Sequence, residues 1–291
     1  MAIAKAKNGV DLYFEEYGNG DTVVFAHEFA GDHRSWEPQV RHLQERYRCV
    51  VFSARGYPPS GVPVDGRAYS QEIARDDVIA VMDHLGIDRA HLVGLSMGSF
   101  ACLHVALAAP ARARSIVLAG CGWGSTPGDE ESFRSDCAAA AQAFEVDVRV
   151  AAELHATGPA RLQLKRKDER RWNEFRDRLA MHSPLGAANT LRGVQMRRPL
   201  LSALTPQMRA LQVPTLVIAG DEDDRSLEPS LLLKRSILRA GLEVFPNSGH
   251  TLNVEEPERF NRALANFFSE VEAGTWPSRD ARSSVPSFLA R

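Results

Sequence analysis

The sequence predicts an α/β fold: a mostly parallel sheet covered by helices on both faces, with a helical cap inserted into it. Three observations carry that expectation. Short β-branched runs recur along the chain, segments of helical periodicity lie between them, and one long stretch has no strand pattern.

The elements follow in order. Asn8-Gly9 lies between two extended runs, which predicts a type I′ hairpin. Strands are expected at Thr22–Ala26 (TVVFA), Cys49–Ser53 (CVVFS), Ala90–Gly94 (AHLVG) and Ser115–Leu118 (SIVL). Their near-continuous apolar character is that of strands buried on both faces. In Ser70–Leu85, Ile73, Val78, Val81, Met82 and Leu85 fall on one side of a helix, and Ser70 suits its start. An apolar helix is expected over Ser99–Ala109. From about Gly124 to Leu204 the sequence is helical or irregular, too long a stretch for an ordinary connection. Residues 124–205 are therefore expected to form the cap, with 1–123 and 206–273 as the core. The rhythm resumes with strand Thr215–Ala219, helix Glu228–Ala240, strand Leu242–Phe245 and helix Glu255–Glu272. Residues 274–291 read as a loose or surface-packed tail.

Composition narrows the function classes. The 291 residues carry 35 Lys plus Arg against 37 Asp plus Glu, a net charge of -2. That balance gives no general reason to expect nucleic acid or an anionic membrane as partner. The N-terminus has no long apolar run of a secretory signal, and no stretch of about 18 apolar residues suggests a membrane span. Cys49, Cys102, Cys121 and Cys137 fall in no metal-like spacing, and Cys49 and Cys102 read as buried thiols. These features favour a soluble, cytoplasmic protein. No P-loop, G-x-G-x-x-G or H-E-x-x-H occurs, so no cofactor and no metal is expected. His104, inside an apolar helix, reads as a packed histidine. A small-molecule substrate is the expected partner, and a homodimer is left open.

Three segments carry candidate chemistry. Gly94-Leu95-Ser96-Met97-Gly98 is a G-x-S-x-G. By its letters alone the motif is weak, but here it follows a predicted strand and opens a predicted helix, as a nucleophile elbow requires. A serine hydroxyl is a poor nucleophile at neutral pH and needs an adjacent base. His250, in Asn247-Ser248-Gly249-His250-Thr251, lies beyond a strand end, the edge on which catalytic groups gather in open α/β sheets. A carboxylate must then fix the imidazole tautomer. Gly220-Asp221-Glu222-Asp223-Asp224 follows the strand TLVIA, with Asp223 the preferred acid and Asp224 the reserve. The order Ser, acid, His is that of α/β-hydrolases.

On these residues the chain resembles the α/β-hydrolase superfamily over nearly its whole length. The GLSMG elbow, the GDEDD loop and SGH followed by NVEEPERFN carry the resemblance, together with Arg55-Gly56-Tyr57-Pro58-Pro59-Ser60, similar to the family's R-G-x-G-x-S loop with Pro58 replacing a glycine. It implies an eight-stranded sheet and places the acid at Asp223. The family usually has His-Gly-x-x-Gly where this chain has His27-Glu28-Phe29-Ala30-Gly31. By position, the Phe29 and Met97 amides would hold an oxyanion, and Glu28 would oppose its charge unless it pointed away or found a partner.

The resemblance implies a serine hydrolase acting on a small carboxylic ester, with lactone hydrolysis, carbon–carbon bond hydrolysis and perhydrolysis as relatives' uses of the same triad. A non-catalytic receptor on the same fold is the rival class. Trp172, Phe175 and Leu179 share a cap-helix face, and Trp172 is a candidate pocket residue beside the more ordinary role of packing. Glu28 and Arg197, with Arg198 next to it, are further substrate-binding candidates, although arginine is ordinarily a surface residue. Arg161–Arg178 mixes eight basic residues with four acids and reads as a solvated helix.

Overall fold

The structure is a computed structural model and describes residues 2–284. Eight strands form one sheet: β1 (Ile3–Lys5), β2 (Asp11–Tyr17), β3 (Asp21–Ala26), β4 (Tyr47–Phe52), β5 (Ala90–Leu95), β6 (Ala113–Ala119), β7 (Thr215–Gly220) and β8 (Ala240–Phe245). Their order across the sheet is β1-β2-β4-β3-β5-β6-β7-β8. The first two strands pair antiparallel and every pair from β4 to β8 is parallel. The predicted fold class holds.

Side chains alternate along the strands, as the period of two demands. Val24 and Ala26 of β3, with Val50 and Phe52 of β4, face one core, while Val23, Phe25, Cys49 and Val51 face the other. Helices α1 (Glu37–Leu43), α2 (Gln71–His84) and α3 (Met97–Ala108) follow β3, β4 and β5. Ser70 accepts from the Ile73 amide at 3.2 Å and starts α2, as its sequence suggests.

Between β6 and β7 lie α4 (Glu130–Val146), α5 (Val148–Ala156), α6 (Leu162–Lys167), α7 (Glu169–Leu179), α8 (Pro184–Thr190) and α9 (Thr205–Ala210), with a π-helical turn over Leu191–Gln195. No strand forms in this stretch among the described residues. Phe133, Phe144, Leu179 and Val194 from it pack with Phe29, Tyr57 and Tyr69 of the loops after β3 and β4 and with Met97 at the start of α3. Each such buried large side chain contributes about 1.5–3 kcal/mol, enough to seat these helices over the loops. After β7 come α10 (Asp224–Ser236), α11 (Leu252–Glu255) and α12 (Pro257–Glu272). Val78, Met82, Phe100 and Leu233 of α2, α3 and α10 cover one face, and Val40, Leu43, Phe260 and Phe267 of α1 and α12 cover the other.

Three local expectations are corrected. The first hairpin forms, but Gly9 alone takes positive φ (81°), closing a turn over Lys7-Asn8. A type I′ turn would need positive φ at Asn8 as well. The helix expected over 228–240 starts at Asp224 and ends at Ser236, because pairing of Ala240 with Thr215 holds the chain extended from there. The last helix is interrupted at Glu256, ahead of Pro257. The start of the expected tail is held: Trp276 donates to the Arg239 carbonyl at 2.8 Å and packs on Phe267. Residues 285–291 of it lie outside the described residues. No described helix is long and apolar enough to cross a membrane, and all four cysteines are buried free thiols.

Candidate active site

The strand order reverses at β3 and β5: β3 connects to a neighbour on one side, β5 to a neighbour on the other. The crevice beyond such a reversal is where open α/β sheets bind ligands. The loop after β3 carries His27–Gly31, and Ser96 follows β5 directly.

Ser96 has φ 52° and ψ −110°, a conformation a non-glycine residue adopts only when its surroundings enforce it. They do. Its amide donates to Ala119 O at 2.8 Å. A Cβ at Gly94 would meet the Gly98 carbonyl at 2.4 Å, and one at Gly98 would meet Ala26 O at 2.0 Å. The strand, the turn and the helix thus close on each other through two glycines, and Ser96 is lifted into the wall of a cavity of about 540 Å3.

His250 and Asp223 line the same cavity. Asp223 Oδ2 lies 2.7 Å from His250 Nδ1, and its Oδ1 accepts from Trp123 Nε1 at 2.7 Å. Burial pushes the Asp223 carboxyl up, but the charge and bond of the His250 imidazole and the bond from Trp123 outweigh it and hold the carboxyl below its ordinary value. Asp224, the reserve, is exposed at the start of α10. The histidine loop is stapled by Glu255, which accepts from the Gly249 amide at 2.6 Å, the Thr251 amide at 3.0 Å and the Thr251 hydroxyl at 2.8 Å. The Trp123 ring lies 5.0 Å from the imidazole, centre to centre. With Nδ1 engaged by Asp223, Nε2 is the nitrogen left for other work. It makes no hydrogen bond to Ser96.

His27 fixes the loop after β3. Its Nε2 accepts from the Ala54 amide at 2.9 Å, so Nδ1 carries the proton and donates to Glu28 O at 2.6 Å. Burial lowers the pKa of His27 and keeps it neutral. Among the described residues neither the Phe29 nor the Met97 amide donates to a protein acceptor. Two unpaired donors beside the cavity are what an oxyanion requires. Glu28 has found a partner: its Oε2 lies 2.5 Å from Arg161 Nη2, both residues being almost wholly buried.

Comparison with known proteins decides the family. A family model described as "alpha/beta hydrolase fold" matches residues 21–257. The chain belongs to the α/β-hydrolase fold family. This hydrolase is 26% identical to 3-oxoadipate enol-lactonase 1 of Acinetobacter baylyi over 87% of its own length and 91% of the relative's. It is 28% identical to a putative carbamate hydrolase, RutD, of Azorhizobium caulinodans, over 90% and 96% of the two chains. A hydrolase of Pseudomonas aeruginosa PA01 of solved structure superposes with a TM-score of 0.80 at 27% identity, covering 92% and 97% of the two chains.

Other candidates of the hydrolase fall elsewhere. Trp172 does not line the cavity. It packs with Ala156 and Leu164 and donates to Ala156 O at 2.7 Å, because its helix face is turned inward. Arg197 is exposed at the end of the turn after the π-helical segment, whereas Arg198, its neighbour, is buried in the cavity wall. The segment from Arg161 is not one solvated helix: it breaks at Asp168 into α6 and α7, and Arg161 is buried. Arg161 and Trp123 are functional candidates the sequence did not single out. A carboxylate at a position usually held by glycine was the available signal, since a buried acid demands a buried cation.

Proposed function

We propose that this hydrolase cleaves carboxylic esters of small molecules, cyclic esters among them, through an acyl-enzyme on Ser96. The observation that carries this reading is the 2.7 Å contact between Asp223 and His250 in the wall of the cavity that also holds the strained Ser96. In this reading His250 Nε2 takes the Ser96 proton as Oγ attacks the carbonyl carbon. Asp223 holds the imidazole in the required tautomer and stabilises the imidazolium. The Phe29 and Met97 amides receive the oxyanion; removing one such donor costs about 100- to 1,000-fold in rate. His250 then passes the proton to the departing alkoxide. Water, activated by the same imidazole, attacks the acyl-enzyme and releases the acid.

Pairing with Arg161 neutralises Glu28, so the carboxylate beside the oxyanion donor does not oppose the developing charge. The similarity to an enol-lactonase supports including ring esters, whose opening needs the same groups. Turnover of short nitrophenyl esters tests the assignment. Ser96→Ala is expected to lose at least about 10⁴-fold in kcat, and retained turnover in that variant would refute it.

A further inference from the structure

Three arginines line the cavity. Arg161 is ion-paired with Glu28, and Arg225 lies 2.9 Å from Asp136 and 3.4 Å from Asp129. Arg198 has no carboxylate within ion-pair distance among the described residues. It is 4% exposed, with its guanidinium 4.1 Å from the Phe100 ring centre and 5.3 Å from that of Phe133. Its two hydrogen bonds go to uncharged acceptors, the Trp123 carbonyl from Nη1 and the Gln195 side chain from Nη2. The Nε–H has no partner at all. A guanidinium offers five N–H donors, so three are uncommitted.

The acids of the cavity cannot supply the missing charge. Glu28 is held by Arg161, Asp136 by Arg225 and Asp223 by His250, while Glu222 accepts from Gln163 at 2.6 Å and Asp224 is exposed. Burial pulls the Arg198 pKa down to about 10, which leaves the group cationic at neutral pH. A cation buried against aromatic rings without a counter-charge is unfavourable by itself, and a ligand can bring that charge.

We propose that Arg198 binds an anionic group, a carboxylate, carried by the acyl compound that is cleaved at Ser96. This rests on the hydrolase reading above and names its substrate class: a half-ester of a dicarboxylic acid, or a lactone that carries a carboxylate. The wall around it, with Phe133, Cys137, Ala140 and Leu191, suits a hydrocarbon chain between the scissile carbonyl and the carboxylate.

Arg198 also holds the Trp123 carbonyl, and Trp123 bonds Asp223, so a merely structural role would slow all esters alike. The decisive quantity is the selectivity between monomethyl adipate and dimethyl adipate, counted per scissile ester, since the two share one ester end and the chain and differ at the other end in a carboxylate against its neutral methyl ester. The wild type is expected to favour the monoester by about 10- to 100-fold in kcat/KM, chiefly through KM. In Arg198→Met that ratio falls to about one whatever happens to absolute rates, and Arg198→Lys recovers part of it. Monomethyl succinate and suberate read the spacing. Equal kcat/KM for the two adipates in the wild type, or an unchanged ratio in Arg198→Met, overturns the proposal. Calorimetry on Ser96→Ala separates this from the catalytic reading. Tighter binding of monomethyl than of dimethyl adipate upholds the anion site even if neither ester is hydrolysed by the wild type, and equal binding overturns it even if both are.

Discussion

Glu28 places a carboxylate one residue before the Phe29 amide, and its only ion-pair partner among the described residues is Arg161, which comes from the segment inserted between β6 and β7. Removing one member of a buried pair leaves an uncompensated charge and costs about 3–5 kcal/mol, whereas removing both is often close to neutral. Urea unfolding is therefore expected to show Arg161→Met strongly destabilised and Glu28→Gln/Arg161→Met restored to within about 1 kcal/mol of the wild type. A double variant no more stable than Arg161→Met would show that the two residues act independently. The same pair marks what a reading of residues reaches. Ser96, Asp223 and His250 announce themselves through short local motifs, each next to a strand end, and the fold sets them around one cavity. Arg161 carries no such mark, because its partner is 133 positions away and it stands just ahead of the exposed charged run Lys165-Arg166-Lys167. Arg197 and Arg198 are alike in sequence; only the winding of the chain after the π-helical turn decides which of them is buried.

Elements were legible where hydrophobic period and burial agree. β3, β4, β5 and β7 lie within two residues of their expected starts, since a strand buried on both faces has few polar positions to confuse its limits. The boundary of α10 was not legible, because it is imposed by the register of β8 against β7. Glycine sets the closest approach between elements. Gly98 brings α3 against the end of β3, and a methyl group there would stand 2.0 Å from Ala26 O, backbone that cannot turn aside. Gly98→Ala is accordingly expected to push α3 off the sheet, with a loss of more than about 2 kcal/mol in stability and a large fall in ester turnover. The paired measurement of unfolding and kinetics checks it. A variant as stable and as active as the wild type would mean that the elbow is looser than described.

At the scale of the whole molecule, strand order does the assembling. Loops after β3, β5, β7 and β8 all open on one edge of the sheet, so residues 28, 96, 223 and 250 line one cavity although they span most of the chain. That edge was legible from the alternation of strands and helices. The seating of the inserted helices was not, because it rests on contacts between residues far apart. Arg161 reaches Glu28 in the loop after β3, Gln163 reaches Glu222 in the acid loop, and Ala160 O accepts from the His250 amide at 3.3 Å. One short segment thus touches three of the loops that form the site. The central claim is that this assembly makes the Ser96 hydroxyl a nucleophile. Intact-mass measurement after treatment with a fluorophosphonate tests it most directly. One adduct on folded wild-type protein, mapped to Ser96, absent in Ser96→Ala and strongly slowed in His250→Gln, is the predicted result; a folded wild type that takes up no label, or takes it up elsewhere, would contradict the account.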